Sequence, residues 1–363
     1  MWHARPYIKN SRSATVNVEC LFDNNDLRYN RSFEVMRLQK RPRGELDLKC
    51  TYKARVTKKI INNIRYLFYY CLSVIFKDKY LFIKAWVEVE HGVWSHRNWG
   101  DELNEHLLKS ITNKKPIVLP YCRLERILHI KCKCYMIIGS ILSSYDLNHT
   151  VVWGSGFLNK KEPDKIRGIP DKVCAVRGPR TRNELVKKGI ECPEVYGDPA
   201  LLMPRFYQPS ISSHFSLGII PHWMDLDKAD VVRLTSDPRT KFIKVQDYEK
   251  WTDFIDEICS CDFVISSSLH GLIIAEAYGI PSQWVEFGMY VDGWEFKYYD
   301  FYESIGKMNE APLKITEATT YEMLMDKRKD WRKGNIDLDK LMDACPLSFN
   351  AIDKTNTSNS SNS

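Results

Sequence analysis

From Tyr80 onward the chain repeats one local pattern: a short apolar run rich in Val and Ile, a close in Gly, Ser or Asn, then a segment of helical length. Runs such as YMIIG at Tyr135–Gly139 and DFVIS at Asp262–Ser266 show no polar alternation. Strands of that kind belong where helices cover both faces of a parallel sheet, so the fold class is α/β. The first series predicts strands at Leu81–Val87, Ile117–Leu119, Tyr135–Gly139, Val151–Gly154 and Val173–Val176, with helices at Asp101–Ile111 and Pro179–Lys188. The second predicts strands at Leu217–Ile220, Phe242–Val245, Phe263–Ile265 and Gln283–Glu286, with helices at Tyr248–Cys259 and Leu269–Tyr278. Closing helices are expected at Thr319–Lys333 and Asp337–Ala344.

Two such series imply two facing Rossmann-like domains with a cleft between them, and 363 residues exceed the size at which a single core usually stops growing. The turn-rich, aperiodic stretch Pro204–Ser213 marks the boundary. The expected division is a basic N-terminal segment over residues 1–80, a first domain over 81–207, a second with closing helices over 208–345, and a polar, disordered tail over 346–363. An apolar share of 44% excludes a mainly disordered or collagenous chain.

The net charge of +7 is unevenly placed: residues 1–80 hold 17 Lys and Arg against 7 Asp and Glu, which leaves the rest of the chain at −3. A nucleic-acid partner is therefore not expected for the body of the protein. The apolar run Tyr66–Phe76 has eleven residues, too few to span a bilayer. With Lys58, Lys59 and Arg65 before it and Lys77 and Lys79 after it, the stretch 58–79 suits either a buried helix or a peripheral contact with a cytoplasmic membrane face. Eleven cysteines and a first segment with no apolar signal core suggest a reducing, cytoplasmic setting. Cys132-x-Cys134 and Cys259-x-Cys261 lack the two-residue spacer and the histidine companions of a zinc site, so no metal is expected.

In doubly wound sheets ligands gather where strands end. The turns there are Asn98-Trp99-Gly100-Asp101, Gly139-Ser140, Gly154-Ser155-Gly156, Arg177-Gly178-Pro179, Gly197-Asp198-Pro199-Ala200, Pro221-His222 and Ser266-Ser267-Ser268-Leu269-His270-Gly271. Glycine and serine before a helix let backbone N–H groups meet a phosphate or carboxylate. Neither a Walker loop nor a dinucleotide G-x-G-x-x-G follows a strand, which argues against ATP hydrolysis and NAD chemistry. His270 is the first catalytic candidate, because imidazole titrates near neutrality, and His222 is the second. Arg177 offers a planar fork to an anion at a helix start, where its charge opposes the dipole. Asp101 and Asp198 read first as cap or turn residues, with general-base roles as the alternative.

In this order, the motifs resemble those of the polysaccharide pyruvyl transferase family over roughly residues 90–290. The resemblance implies a GT-B-like fold, phosphoenolpyruvate as donor substrate without a further cofactor, and a sugar of a surface polysaccharide or its lipid-linked precursor as acceptor. Arg177 would then hold donor phosphate or carboxylate, a protonated His270 would deliver a proton to the enolpyruvyl group, and Asp101 or Asp198 would accept the sugar proton. Asn98, Gly100, Gly139, Ser140, Gly154, Ser155, Ser266, Ser267 and Ser268 would line the substrate. Many members carry arginine two places before the histidine, where this chain has Ser268, so another cation, Arg177 or His222, must compensate. Rival readings are a nucleotide-sugar glycosyltransferase on the same scaffold and an inactive glycan-binding or scaffold protein.

Overall fold

Two parallel sheets of five strands each carry the chain, as the two series of apolar runs require. The structure, a computed structural model, describes residues 48–76, 79–86, 88–90, 93–96, 98–119, 133–211, 214–288 and 293–347. Most of the predicted N-terminal extension (1–47) and nearly all of the predicted tail (348–363) lie outside the described residues, as does Cys132.

Helix α1 (Leu48–Ile75) leads into strand β1 (Tyr80–Ile83), a short antiparallel hairpin of β2 (Glu88–Glu90) and β3 (Val93–His96), and helix α2 (Trp99–Ile111). Then follow β4 (Lys115–Val118), β5 (Cys134–Met136), β6 (Thr150–Trp153), β7 (Lys172–Ala175) and α3 (Pro179–Lys187). The first sheet has the order β4-β1-β5-β6-β7, all parallel. The second lobe comprises β8 (Phe215–Ile220), α4 (Ala229–Thr235), β9 (Thr240–Phe242), α5 (Asp253–Cys259), β10 (Cys261–Ser266), α6 (Leu269–Tyr278), β11 (Ser282–Glu286), α7 (Phe296–Ser304) and β12 (Leu313–Lys314). Its sheet order is β12-β11-β10-β8-β9, again parallel. Helices α8 (Tyr321–Lys327) and α9 (Leu338–Asp343) close the chain.

Sequence and structure differ at the edges of elements. The strand expected through Val87 stops at Ile83, because the chain turns there to bring the Trp86 backbone N–H to the Asp101 carboxylate. Helix α7 is absent from the sequence reading: FKYYDFYES is rich in residues of high strand propensity, and burial of Phe296, Tyr298, Phe301 and Tyr302 decides its state instead.

One apolar core runs through both lobes, from Leu81 and Ile83 through Trp99 and Leu103 to Ile220, Leu269, Ile273 and Phe301. Trp99 is its central tie. The Trp99 backbone N–H donates to the Val245 carbonyl at 2.9 Å, its indole N–H donates to the Trp251 carbonyl at 2.6 Å, and its ring lies 4.6 Å from that of Phe254. Near its end the chain returns to the first sheet, where the Trp153 indole N–H donates to the Leu341 carbonyl of α9.

Candidate functional site

In each sheet the strand order reverses beside the first strand, between β1 and β5 in one and between β8 and β10 in the other. Loops diverge at such switch points and leave a crevice at the strand carboxyl ends. The predicted turns Gly139-Ser140, Pro221-His222 and Ser266–Gly271 fall at these two places, whereas Gly154–Gly156 and Arg177–Pro179 follow β6 and β7.

At the first switch point, Asn98 caps α2 by accepting from the Gly100 N–H, and Asn104 on the same helix bonds both the N–H and the carbonyl of Ile138. That clamp fixes the Gly139-Ser140 turn. Gly139 has φ +124°, a conformation suited to glycine, and its missing Cβ leaves room beside the Asp101 carboxyl. Asp101 is therefore not the cap that its position suggested. It is buried and accepts from the Trp86 N–H at 3.4 Å. Burial, with added repulsion from Asp198 and Glu102, raises its pKa to about 7, against the opposing pull of that N–H and of Lys297. Asp198 caps the turn after it through the Ala200 N–H, and burial raises it to about 6.

At the second switch point the hydroxyls expected to meet an anion hold the turn instead. Ser266 Oγ bonds the carbonyls of Ile220 and Ser268 and accepts from the Ser268 N–H. Ser267 Oγ donates to Asp225 at 2.7 Å and accepts from the His222 N–H at 2.8 Å. Ser268 is the N-cap of α6 but makes no capping bond with its side chain. His222 accepts from the Met224 N–H through Nδ1, and its ring lies between those of Trp223 and Trp294, 5.6 Å from each.

The two switch points meet through Gly100 and His270. The His270 ring packs directly on the Gly100 backbone, where any Cβ would overlap it. Among the described residues its buried Nε2 finds no hydrogen-bond partner. Burial, Lys297 and Arg177 lower the His270 pKa to about 3, and burial with Lys297 and Lys228 does the same to His222. Both imidazoles are neutral at pH 7, so the protonated His270 expected from the sequence is not the resting state.

Arg177 is also placed differently from expectation. Its guanidinium, 1% exposed, donates from Nε to Asp300 at 3.1 Å, from Nη1 to Ser140 Oγ at 2.6 Å and from Nη2 to the Phe157 carbonyl at 2.6 Å, and Nη2 also forms an ion pair with the Asp300 carboxylate at 3.0 Å. Three of its five N–H groups are thus hydrogen-bonded within the protein. Asp300 on α7 also accepts from the Thr181 N–H and hydroxyl at the start of α3, so the pair joins the two lobes.

One turn earlier on α7 stands Lys297, a residue the sequence reading missed. It is buried, and among the described residues its ammonium makes no hydrogen bond or ion pair. It sits over the rings of Trp294 and Tyr298, at 5.2 and 5.0 Å. Burial and Arg177 lower its pKa to about 8, while Asp101, Asp225 and Glu162 hold the proton on. Lys297 and Asp300, three apart in an aromatic-rich run, were the available signal.

Gly154, with φ +100°, packs on Pro199, and buried Ser155 Oγ has no hydrogen-bond partner among the described residues. Of the tryptophans near the predicted turns, Trp99 and Trp284 are core residues, whereas Trp223 and Trp294 flank His222. Tyr290 and the Trp94 side chain lie outside the described residues. Burial raises the thiols of Cys259 and Cys261 to about 12, and no cluster of three or more His, Cys, Asp or Glu fit for a metal occurs among the described residues.

The polysaccharide pyruvyl transferase family model matches residues 41–286, a span that contains every predicted turn but ends before Lys297 and Asp300. The chain is 28% identical over 215 residues to an uncharacterised protein of Acanthamoeba polyphaga mimivirus, which covers 58% of this chain and 71% of that one. It is 25% identical over 243 residues to the succinoglycan biosynthesis protein ExoV of Rhizobium meliloti (strain 1021), which covers 65% of this chain and 70% of the relative.

Proposed function

The chain belongs to the polysaccharide pyruvyl transferase family and is a transferase, and from that premise we propose that its cleft moves the enolpyruvyl unit of phosphoenolpyruvate onto two hydroxyls of one sugar, closing a cyclic ketal. The acceptor is a polysaccharide or its lipid-linked precursor, in keeping with the likeness to a succinoglycan biosynthesis protein. The observation that carries this reading is the triad of a buried ammonium and a buried imidazole nitrogen that have no hydrogen-bond partner among the described residues, with a buried carboxyl that titrates near neutrality.

Each fits one need of the reaction. Lys297 receives the anionic donor together with the two remaining N–H groups of Arg177 and the amino end of α6, and it supplies the cation that Ser268 does not. The acid form of Asp101 gives its proton to the methylene carbon, which becomes the methyl group and leaves an oxocarbenium-like centre. A sugar hydroxyl attacks that centre while neutral His270 Nε2 takes its proton and passes it to the departing phosphate. The second hydroxyl then closes the ring and returns a proton to Asp101. A carboxyl near pKa 7 is suited to both giving and regaining a proton. Trp223 and Trp294 offer faces on which a sugar ring stacks.

Thermal unfolding with phosphoenolpyruvate, with a UDP-sugar and with neither tests the donor. Saturating phosphoenolpyruvate should raise the midpoint by about 4 °C, as ligand linkage at a hundredfold excess over Kd requires for a chain of this size. Lys297→Gln should lose that rise while unfolding normally by itself. Stabilisation by the UDP-sugar alone would replace the reading with glycosyl transfer.

A further inference from the structure

Helix α1 has two apolar faces, and the first sheet uses one. Tyr66 is buried against Phe82, Leu119 and Cys134, with Tyr69, Tyr70 and Leu72 packed around it. On the opposite side every exposed residue from Ile60 to Phe76 is apolar or cysteine: Ile60, Ile61, Ile64, Leu67, Phe68, Cys71, Val74, Ile75 and Phe76. Ile64 is 60% exposed, Phe68 59% and Ile75 67%. Spacings of three and four put Ile60, Ile64, Leu67, Phe68, Cys71, Val74 and Ile75 on one stripe, roughly 25 Å long at the helical rise. Scattered exposed apolar residues need no explanation, but a continuous stripe without one charged group marks an interaction surface.

We propose that this stripe seats the protein on an anionic lipid surface, with α1 lying in the interface plane. The choice of occupant rests on charge. The sequence of α1 holds six basic residues and no acidic one, which suits anionic headgroups beside an inserted apolar face. A second copy would bring two such helices together and set like charges against each other, and residues 1–47 are themselves net basic, with 9 Lys and Arg against 6 Asp and Glu. No helix of the described chain is long and apolar enough to cross a membrane, so the contact is peripheral. This inference stands on α1 alone and does not depend on the reading of the cleft.

The test is co-sedimentation of the full chain with phosphatidylcholine vesicles and with vesicles carrying roughly one phosphatidylserine in four. The chain should partition to the anionic vesicles, be released by high salt, and lose roughly tenfold or more of its partitioning when Ile64→Gln, Phe68→Gln and Ile75→Gln are combined, with the unfolding midpoint unchanged. Salt release of the unaltered chain keeps the test independent of the variant's folding. Failure to sediment with anionic vesicles, or equal sedimentation of the well-folded variant, would overturn the proposal. So would a concentration-dependent dimer in light scattering that the variant dissolves without any vesicle binding, which would make the stripe a self-association face.

Discussion

Replacing Asp101 with asparagine should stabilise the protein at neutral pH while removing its activity. The carboxyl titrates at about 7 in place of an ordinary 3.8, chiefly because it is buried. As pH rises above 4 the unfolded chain releases this proton while the folded chain keeps it, so the group lowers stability progressively until pH passes about 7 and costs nothing below about 4. At about 1.4 kcal/mol per pH unit, the full cost above pH 7 is about 4 kcal/mol. Asparagine keeps the oxygen that accepts from the Trp86 N–H and carries no proton to lose. Loss of the negative charge beside Lys297 offsets part of the gain, so about 4 kcal/mol is the ceiling, worth roughly 6 °C in midpoint. Unfolding of both proteins at pH 4.5, 6 and 7.5 measures the difference directly: the linkage part should be about 1 kcal/mol at the lowest pH and grow toward the highest. A difference that is constant with pH, or that favours the native carboxyl more as pH rises, would refute the reasoning. Pyruvyl transfer by the variant should fall by roughly a hundredfold or more, the usual worth of a positioned acid.

Asp300→Asn should cost about 3 to 5 kcal/mol in denaturant unfolding, because it leaves the Arg177 guanidinium buried without its counter-charge. Gly100→Ala should unfold near the native midpoint yet lose most turnover, since the new methyl must displace the His270 ring. Native-like turnover by that variant would remove His270 from the proposed chemistry. Calorimetry of the whole chain should show one endotherm for both lobes, as expected of a core that runs through the two without a break.

The layers of the fold were legible in the sequence because buried parallel strands and their closing turns leave a local signature. Val151–Gly154 and Phe263–Ile265 read as strands with no knowledge of their neighbours, and strands stand there. Much of the crevice was legible for the same reason, since the turns from Asn98 to His270 end those strands. The roles inside it were not. Whether Arg177 meets a ligand or a buried aspartate depends on Asp300, 123 residues away, and no local pattern announces that partner. The charge state of His270 likewise follows from burial and from Lys297, which reaches the crevice on a helix whose aromatic composition hides it. Ser266 and Ser267 looked like anion ligands because the sequence shows their hydroxyls but not the carbonyl of Ile220 and the carboxylate of Asp225 that occupy them.

The double hydrogen bond from Trp99 to the second lobe also bears on how substrate arrives. An enzyme whose lobes swing apart must break its interlobe contacts in every cycle. Here that motion would expose a fully buried indole and two carbonyls at the floor of the crevice. Substrate entry that leaves the Trp99 tie intact therefore needs no swing of one lobe away from the other.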